Sequence, residues 1–193
     1  MQKIKLAIFI SGKGTNASKL MAFFKNHTLI EVGLVVSNNS NSPLLSVCET
    51  YEVPSIVCNN EEVANANYLL DVCTSHKIDF IVLAGFLRKI PESFVRAFSE
   101  KIFNIHPSLL PKFGGAGMYG DHVHSAVLEA GESKSGITIH LVNEEYDRGK
   151  ILAQFECLID HDEDMDALKE KISKLEHENY GKVIANYILK NHE

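Results

Sequence analysis

Three features are missing from this sequence of 193 residues, and each absence argues against a class of protein. No apolar run approaches the ~20 residues that a membrane-spanning helix needs. No secretory leader is expected, because strand-like sequence begins within the first few residues. The four cysteines, Cys48, Cys58, Cys73 and Cys157, show no CxxC spacing. We therefore expect reduced thiols in a cytoplasmic protein, with a nucleophilic cysteine as the less favoured alternative.

An excess of basic residues is also missing, since the net charge is -6. Such a chain is poorly suited to a nucleic-acid backbone or an anionic membrane as its main partner. A small anionic ligand is still compatible, because a single loop can bind a phosphate. Length and a hydrophobic content of 45% favour one domain over residues 1–193.

Strand-like and helix-like segments alternate along most of the chain. Apolar runs or period-two alternation predict strands at Lys3–Ile10, Ile30–Val36, Val53–Val57, Phe80–Leu83, Lys101–His106, Ser135–Val142 and Ile151–Leu158. Helices are predicted after the first strand and at Pro43–Tyr51, Glu61–His76, Pro91–Phe98, before Glu129 and at Asp164–Leu189. This order predicts an α/β protein with an open sheet, and the last two strands are expected to pair as a hairpin.

The glycine turn Gly12–Asn16 joins the first strand to its helix. Backbone N–H groups and the positive end of the helix can hold a phosphate there, and Thr15 and Asn16 add side-chain donors. With Ala17 the turn also reads G-x-G-x-x-A, but no acid follows the second strand before Cys48, as a dinucleotide site would require. We therefore expect a phosphate monoester, with a plain tight turn as the alternative.

The segment Phe103–Pro111 carries the pair most suited to chemistry. Side chains alternate along a strand, so Asn104 and His106 share one face, and Pro107 ends the strand. An imidazole that exchanges a proton beside a neutral amide donor can stabilise an oxyanion. The alternative is a histidine that merely caps a strand end.

Two loops are expected near this pair. The glycine-rich segment Lys112–Asp121 predicts a mobile loop over a site. The polar loop Asn143–Gly149 is longer than a hairpin needs. We expect its Asp147 to pair with His106, to orient the imidazole ring and to raise the imidazole pKa.

Metal binding is not expected. His122 and His124 are two residues apart, but no third ligand is placed near them, and the segment reads as the first turn of a helix. Solvated or capping histidines are the favoured interpretation.

Four motifs, and their order, link the chain to a known family. They are Ser11–Asn16, Leu83–Arg88, Asn104–Pro111 and Asp147–Gly149. Together they resemble the glycinamide ribonucleotide formyltransferases of purine biosynthesis. The resemblance implies a Rossmann-like formyltransferase fold, an open, mostly parallel twisted sheet with helices on both faces. It also implies 10-formyltetrahydrofolate as co-substrate, phosphoribosylglycinamide as acceptor, and no metal.

The same resemblance implies site residues. Asn104, His106 and Asp147 look like the catalytic set. The acceptor and its phosphate would be bound by Gly14, Thr15, Asn16, Ser173, Lys174, Leu175 and Glu176. The folate would be bound by Leu87, Arg88, Lys89, Ile90, Asn104, Asn143, Glu144, Glu145, Tyr146 and Asp147.

The implied reaction is direct attack of the acceptor amine on the formyl carbon, without a covalent enzyme intermediate. The oxyanion would form against Asn104 and protonated His106, and Asp147 would accept the amine proton. One alternative is a 10-formyltetrahydrofolate hydrolase, which would use the same three residues on water. Another is a non-catalytic phosphate- or nucleotide-binding module, which needs only the glycine turn. Nucleic-acid and membrane partners are not expected, and a monomer and a homodimer are both left open.

Overall fold

The computed structural model describes residues 3–191, in which strands and helices alternate. The strands are β1 (Ile4–Ile10), β2 (Ile30–Ser37), β3 (Ser55–Val57), β4 (Phe80–Leu83), β5 (Ile102–His106), β6 (Lys134–Leu141) and β7 (Ile151–Leu158). The helices are α1 (Thr15–Phe24), α2 (Leu44–Thr50), α3 (Asn60–Ala64), α4 (Ala66–Ser75), α5 (Glu92–Ala97), α6 (Asp121–Glu129) and α7 (Met165–Asn191). All seven predicted strands are present, with bounds within two residues of those expected.

The strands are ordered β3-β2-β1-β4-β5-β6-β7 in the sheet. This order confirms the predicted α/β class with an open, mostly parallel sheet. The chain divides into two compact units, one ending at Phe103 and the other beginning at Asn104. The assignment of a single domain to residues 1–193 stays a prediction, and residues 1, 2, 192 and 193 lie outside the described part.

In the first unit, β1 contains a run of five residues, Leu6 to Ile10, that are each 0% exposed. The strand pairs in parallel with β2 on one side and with β4 on the other. A parallel strand covered on both faces needs a continuous apolar run, which is the pattern that the sequence shows.

The predicted helix Glu61–His76 is wrong as a single element, because it is two helices, α3 and α4. Asn65 separates them in an extended conformation, with ψ at 102°. Its side chain accepts a hydrogen bond from the N–H of Tyr68 and so begins α4. Asn59 begins α3 through a capping box with Glu62.

In the second unit, β6 and β7 form the expected antiparallel pair, in which Ile137 faces Phe155. Helix α7 buries Leu168, Ile172, Tyr180, Ile184 and Ile188, whereas Leu175 and Val183, which were expected on the same face, are half-buried. Within residues 3–191, no helix combines the length and the apolar character that crossing a membrane requires.

Candidate functional site

Strand β5 presents its amide and its imidazole on one face, as the period-two pattern predicts. His106 is 4% exposed and Asn104 is half-buried, while Ile105 between them is buried on the opposite face. The strand ends at His106, immediately before Pro107.

Asp147 lies beside this histidine, so the structure brings the predicted carboxylate and imidazole together. Asp147 Oδ2 is 3.6 Å from His106 Nδ1, and its Oδ1 is 3.7 Å from Nε2 of a second histidine, His140. The backbone of Asp147 has a φ of +54°, in the left-handed region that non-glycine residues seldom adopt. Aspartate is among the non-glycine residues that adopt this region most often.

His140 on β6 is a member of this cluster that sequence analysis missed. Its Nδ1–H donates to the carbonyl oxygen of Leu141 at 2.8 Å, so its Nε2 is left to accept a hydrogen bond. The Nδ2 of Asn104 donates to that Nε2 at 3.1 Å, which fixes the orientation of the amide. The available signal was the alternation of β6, which places His140 on the same face as the buried polar residue Thr138.

The glycine-rich segment contacts both His106 and Asp147 through its backbone. His106 Nε2–H donates to the carbonyl oxygen of Phe113 at 2.7 Å, and the N–H of Gly115 donates to Asp147 Oδ2 at 2.9 Å. A Cβ atom at Gly114 would displace the end of the Leu110 side chain and press on Cβ of Asp147, so the segment packs closely against Asp147. This segment therefore forms one wall of the cluster, while its predicted mobility stays a prediction.

Burial has the largest effect on the pKa of the His106 imidazole. It lowers the pKa of the imidazole more than Asp147 and the Phe113 carbonyl raise it, and His140 lowers it further. Asp147 acts to raise the pKa of His106 as expected, but the pKa is lowered overall, so the expectation of a raised pKa is wrong. Burial also acts to raise the pKa of Asp147, but the nearby His140 ring, the hydrogen bond from the Gly115 N–H and the His106 ring hold that pKa below its ordinary value.

His124 is a second correction, because it is neither solvated nor capping. It is 7% exposed on the buried face of α6 together with Val123 and Val127, and burial lowers its pKa. The tertiary packing of α6 explains this placement. His122, by contrast, is exposed and stands edge-on to the ring of Tyr119.

In the first unit, a glycine in the left-handed region begins α1. Gly14 has a φ of +75° and begins α1, and the first turn of α1 contains no acidic residue. Ser42 fixes the turn by donating from its hydroxyl to the Gly12 carbonyl oxygen at 2.8 Å. Any side chain at Gly14 would strike Leu44 of α2. Thr15 is exposed and Asn16 is half-buried at the start of the helix.

The remaining candidate binding residues are mostly exposed. Leu87 is 56% exposed, and its N–H donates to the hydroxyl of Ser11 at 2.8 Å, whereas Ile90 is buried. Tyr146 is 51% exposed on the loop before Asp147. On α7, the candidate stretch is half-buried except for its lysine, and its members are Ser173, Lys174, Leu175 and Glu176. Among residues 3–191, no group of three or more histidine, cysteine or acidic side chains is arranged to hold a metal ion.

Known proteins share both the sequence pattern and the fold. A family model described as Formyl transferase matches residues 4–184. The chain is 38% identical over 186 residues to the chloroplastic phosphoribosylglycinamide formyltransferase of Arabidopsis thaliana, covering 93% of this chain and 64% of that protein. It thus spans less than two thirds of that relative and of the corresponding Vigna unguiculata protein.

Solved structures extend this similarity. The phosphoribosylglycinamide formyltransferase of Bacillus halodurans superposes with a TM-score of 0.86 at 30% identity, covering 98% of this chain and 97% of that one. The glycinamide ribonucleotide transformylase 1 of Geobacillus kaustophilus superposes with a TM-score of 0.85 at 32% identity, with coverage of 95% and 97%.

Proposed function

Because the chain belongs to the formyl transferase family, we propose that it transfers a formyl group from 10-formyltetrahydrofolate to the amine of 5'-phosphoribosylglycinamide. The products are formylglycinamide ribonucleotide and tetrahydrofolate, in purine biosynthesis. The observation that carries the proposal is the cluster of Asn104, His106 and Asp147, in which His140 lies between Asn104 and Asp147, and Asp147 lies beside His106. The descriptions of the relatives support the choice of substrates.

The amide and imidazole are proposed to stabilise the oxyanion. The acceptor amine attacks the formyl carbon, and the C=O electron pair moves onto oxygen. One N–H of the Asn104 amide is engaged by His140, so the other is available to that oxygen. His106 Nε2–H, which donates to Phe113 in this structure, supplies the second donor after a shift of the loop.

Asp147 is proposed to carry the proton. Its lowered pKa keeps it ionised at neutral pH, so it can accept the proton of the attacking amine, directly or through one water. When the tetrahedral intermediate collapses, the oxygen electron pair re-forms the C=O bond, the bond between the formyl carbon and N10 breaks, and that proton goes to N10 of the departing tetrahydrofolate. No covalent bond to the enzyme forms, and the resting enzyme is regenerated.

The binding roles are part of the same proposal. The turn Gly14–Asn16 is proposed to hold the acceptor phosphate, because its N–H groups begin a helix without acids in its first turn. The stretch Ser173–Glu176 is proposed to contact the acceptor. The exposed residues of Leu87–Ile90 and of the loop Asn143–Asp147 are proposed to bind the folate.

A cytoplasmic location is also proposed, from the thiols. Cys48, Cys58 and Cys73 are buried and free, as suits a reducing compartment, although the two plant relatives are described as chloroplastic. Cell fractionation followed by detection of the protein tests this, and recovery with a membrane or secreted fraction would contradict it.

One absorbance experiment tests the activity against its competitors. The protein is incubated with 10-formyltetrahydrofolate, with and without phosphoribosylglycinamide, and the folate absorbance is followed. Conversion that requires the acceptor supports the proposal. Conversion without the acceptor indicates the hydrolase, and no conversion in either mixture indicates the binding module.

A further inference from the structure

Two backbone groups of the glycine-rich segment contact the side chains that the proposed reaction uses to stabilise charge and to move a proton. The Phe113 carbonyl oxygen accepts from His106 Nε2–H at 2.7 Å, and the Gly115 N–H donates to Asp147 Oδ2 at 2.9 Å. The His106 side chain is 5% exposed and the Asp147 side chain is 11% exposed, so both are largely shielded from solvent. In this structure the chain's own backbone therefore occupies both groups.

These two contacts have the same chemical character as the contacts proposed for the substrates. In the proposed reaction, the formyl oxygen accepts a hydrogen bond from the imidazole, and the attacking amine gives a proton to the carboxylate. In the structure, a peptide carbonyl takes the first place and a peptide N–H takes the second. Because the two groups come from residues only two apart, one short stretch of backbone presents an acceptor and a donor together.

The segment is anchored at both ends. At one end, the Ser108 hydroxyl donates to the Lys112 carbonyl oxygen at 2.8 Å. At the other end, the carboxylate of Asp121, the first residue of α6, lies 2.7 Å from Lys169 Nζ. Among the described residues, the stretch 113–119 makes only two hydrogen bonds to protein outside the segment, and they are the two contacts with the cluster. Loss of those two bonds therefore frees the stretch between its anchors.

The backbone of this stretch is folded in an uncommon way. The φ angles of Phe113, Gly115 and Gly117 are +55°, +102° and +87°. Glycine adopts such values freely, but a bulky side chain seldom does. The conformation that brings the Phe113 carbonyl to His106 is therefore held in place by its contacts, and the glycines allow the backbone to leave it.

We propose that residues 113–115 act as an internal substitute for the substrates, which keeps the resting enzyme inactive toward water until the donor and the acceptor displace them. The inference rests on the proposed formyl transfer and adds a latent activity to it. With residues 113–115 displaced and no acceptor bound, the same cluster hydrolyses the formyl donor.

The latent reaction uses water in place of the acceptor amine. Water adds to the formyl carbon, the C=O electron pair moves onto oxygen, and Asp147 takes one proton from the water. When the C=O bond re-forms, the bond between the formyl carbon and N10 breaks and N10 takes that proton. The products are tetrahydrofolate and formic acid, which ionises to formate.

Release of formate without the acceptor measures this activity. Gly115→Pro removes the N–H that contacts Asp147, and proline cannot adopt the φ of +102° at this position. Loss of two hydrogen bonds shifts an equilibrium by about 10–100-fold, so we expect Gly115→Pro to hydrolyse 10-formyltetrahydrofolate at least about tenfold faster than the wild type. Adding Asn104→Ala to this variant should remove the gain, because the hydrolysis uses the same cluster.

Gly117→Pro is the matched control. It makes the same replacement at another glycine with a positive φ, but the N–H of Gly117 contacts neither His106 nor Asp147. We expect this variant to hydrolyse the donor at the wild-type rate. Circular dichroism checks that both variants are folded.

Hydrogen exchange of the wild type tests the displacement without turnover, and it serves equally if Gly115→Pro does not fold. Tetrahydrofolate carries no formyl group, so it is mixed with phosphoribosylglycinamide without reaction, and calorimetry confirms that both bind. Bound ligands ordinarily slow the exchange of nearby amides. Displacement predicts the opposite for Gly115, whose amide should exchange at least about tenfold faster once both ligands are bound.

The outcomes separate this inference from the proposed function. A wild type that transfers the formyl group while Gly115→Pro shows no added hydrolysis overturns the inference alone. Equal gains in Gly115→Pro and Gly117→Pro also overturn it, because general loosening of the segment would then be the cause. Exchange of the Gly115 amide that is unchanged or slower with both ligands bound overturns the displacement. A wild type that transfers no formyl group overturns the proposed function and this inference together.

Discussion

Replacing His140 by phenylalanine removes the group that holds the Asn104 amide. In the wild type, the His140 ring bridges Asn104 Nδ2 and the carbonyl oxygen of Leu141. Phenylalanine fills the same buried space without either hydrogen bond. We expect the amide to rotate away from the direction in which the proposed reaction needs its second N–H.

The size of the effect follows from these two contacts. Each group left without its partner costs about 1–3 kcal/mol, which a typical domain can absorb while remaining folded. Complete loss of one oxyanion donor lowers the rate ~10²–10³-fold. In His140→Phe the Asn104 amide is still present, but its orientation is no longer fixed. We therefore expect kcat to fall by about 10–100-fold, less than the complete loss of the donor would cause.

The pH profile adds a signature that loss of packing alone does not produce. The neighbouring His140 ring, 3.7 Å away, lowers the pKa of Asp147, so His140→Phe raises that pKa. Since the proposed reaction needs Asp147 ionised, the acidic limb of kcat/KM moves to higher pH.

Steady-state kinetics of three proteins decides the matter. His140→Gln offers an amide oxygen where Nε2 accepts in the wild type, so it should recover most of kcat. Urea unfolding confirms that each variant is folded. If His140→Phe has the wild-type kcat, or if His140→Gln is no better than His140→Phe, the positioning role is refuted.

Three further predictions use the same assays. Asn104→Ala should lower kcat ~10²–10³-fold and change the KM for the acceptor only a few-fold, and wild-type turnover would end the proposed mechanism. Gly114→Ala pushes against Leu110 and Asp147, so steady-state kinetics should show kcat reduced about tenfold or more, and an unchanged kcat would mean that the wall of the cluster adapts. The folded pKa of His124 is lowered, so its contribution to stability is lost as pH falls below its ordinary value of 6.5. Urea unfolding at a series of pH values should show a smaller loss for His124→Gln than for the wild type, and identical slopes would contradict this.

The sequence predicts what depends on local periodicity. The run from Leu6 to Ile10 identifies a buried strand by itself, and alternation on β5 places Asn104 and His106 on one face. The long polar loop identifies Asp147 as a candidate partner of His106 from the sequence alone. The first two inferences succeed because neighbours in sequence determine them, whereas the contact of Asp147 with His106 joins distant segments of the chain.

The contacts that the sequence did not predict are made between residues that are distant in sequence or with backbone groups. His140 meets Asn104 across 36 residues, and the partner of His106 in the glycine-rich segment is a carbonyl that any residue could supply. His124 is buried on the face of α6 that contains Val123 and Val127, and this burial depends on the tertiary packing of the helix. The break between α3 and α4 does have a local signal, because asparagine commonly begins a helix, as Asn65 does here. The apolar pattern across residues 61–76 nevertheless favoured a single helix.

The most direct test of the proposed function follows the formyl carbon itself. Enzyme in excess is mixed with 10-formyltetrahydrofolate labelled with ¹³C in the formyl group, together with phosphoribosylglycinamide, and the products are identified by mass spectrometry. We predict that each donor molecule consumed yields one labelled formylglycinamide ribonucleotide, and that the Asn104→Ala variant forms it far more slowly. Label recovered as formate, or retained on the folate, would contradict the account.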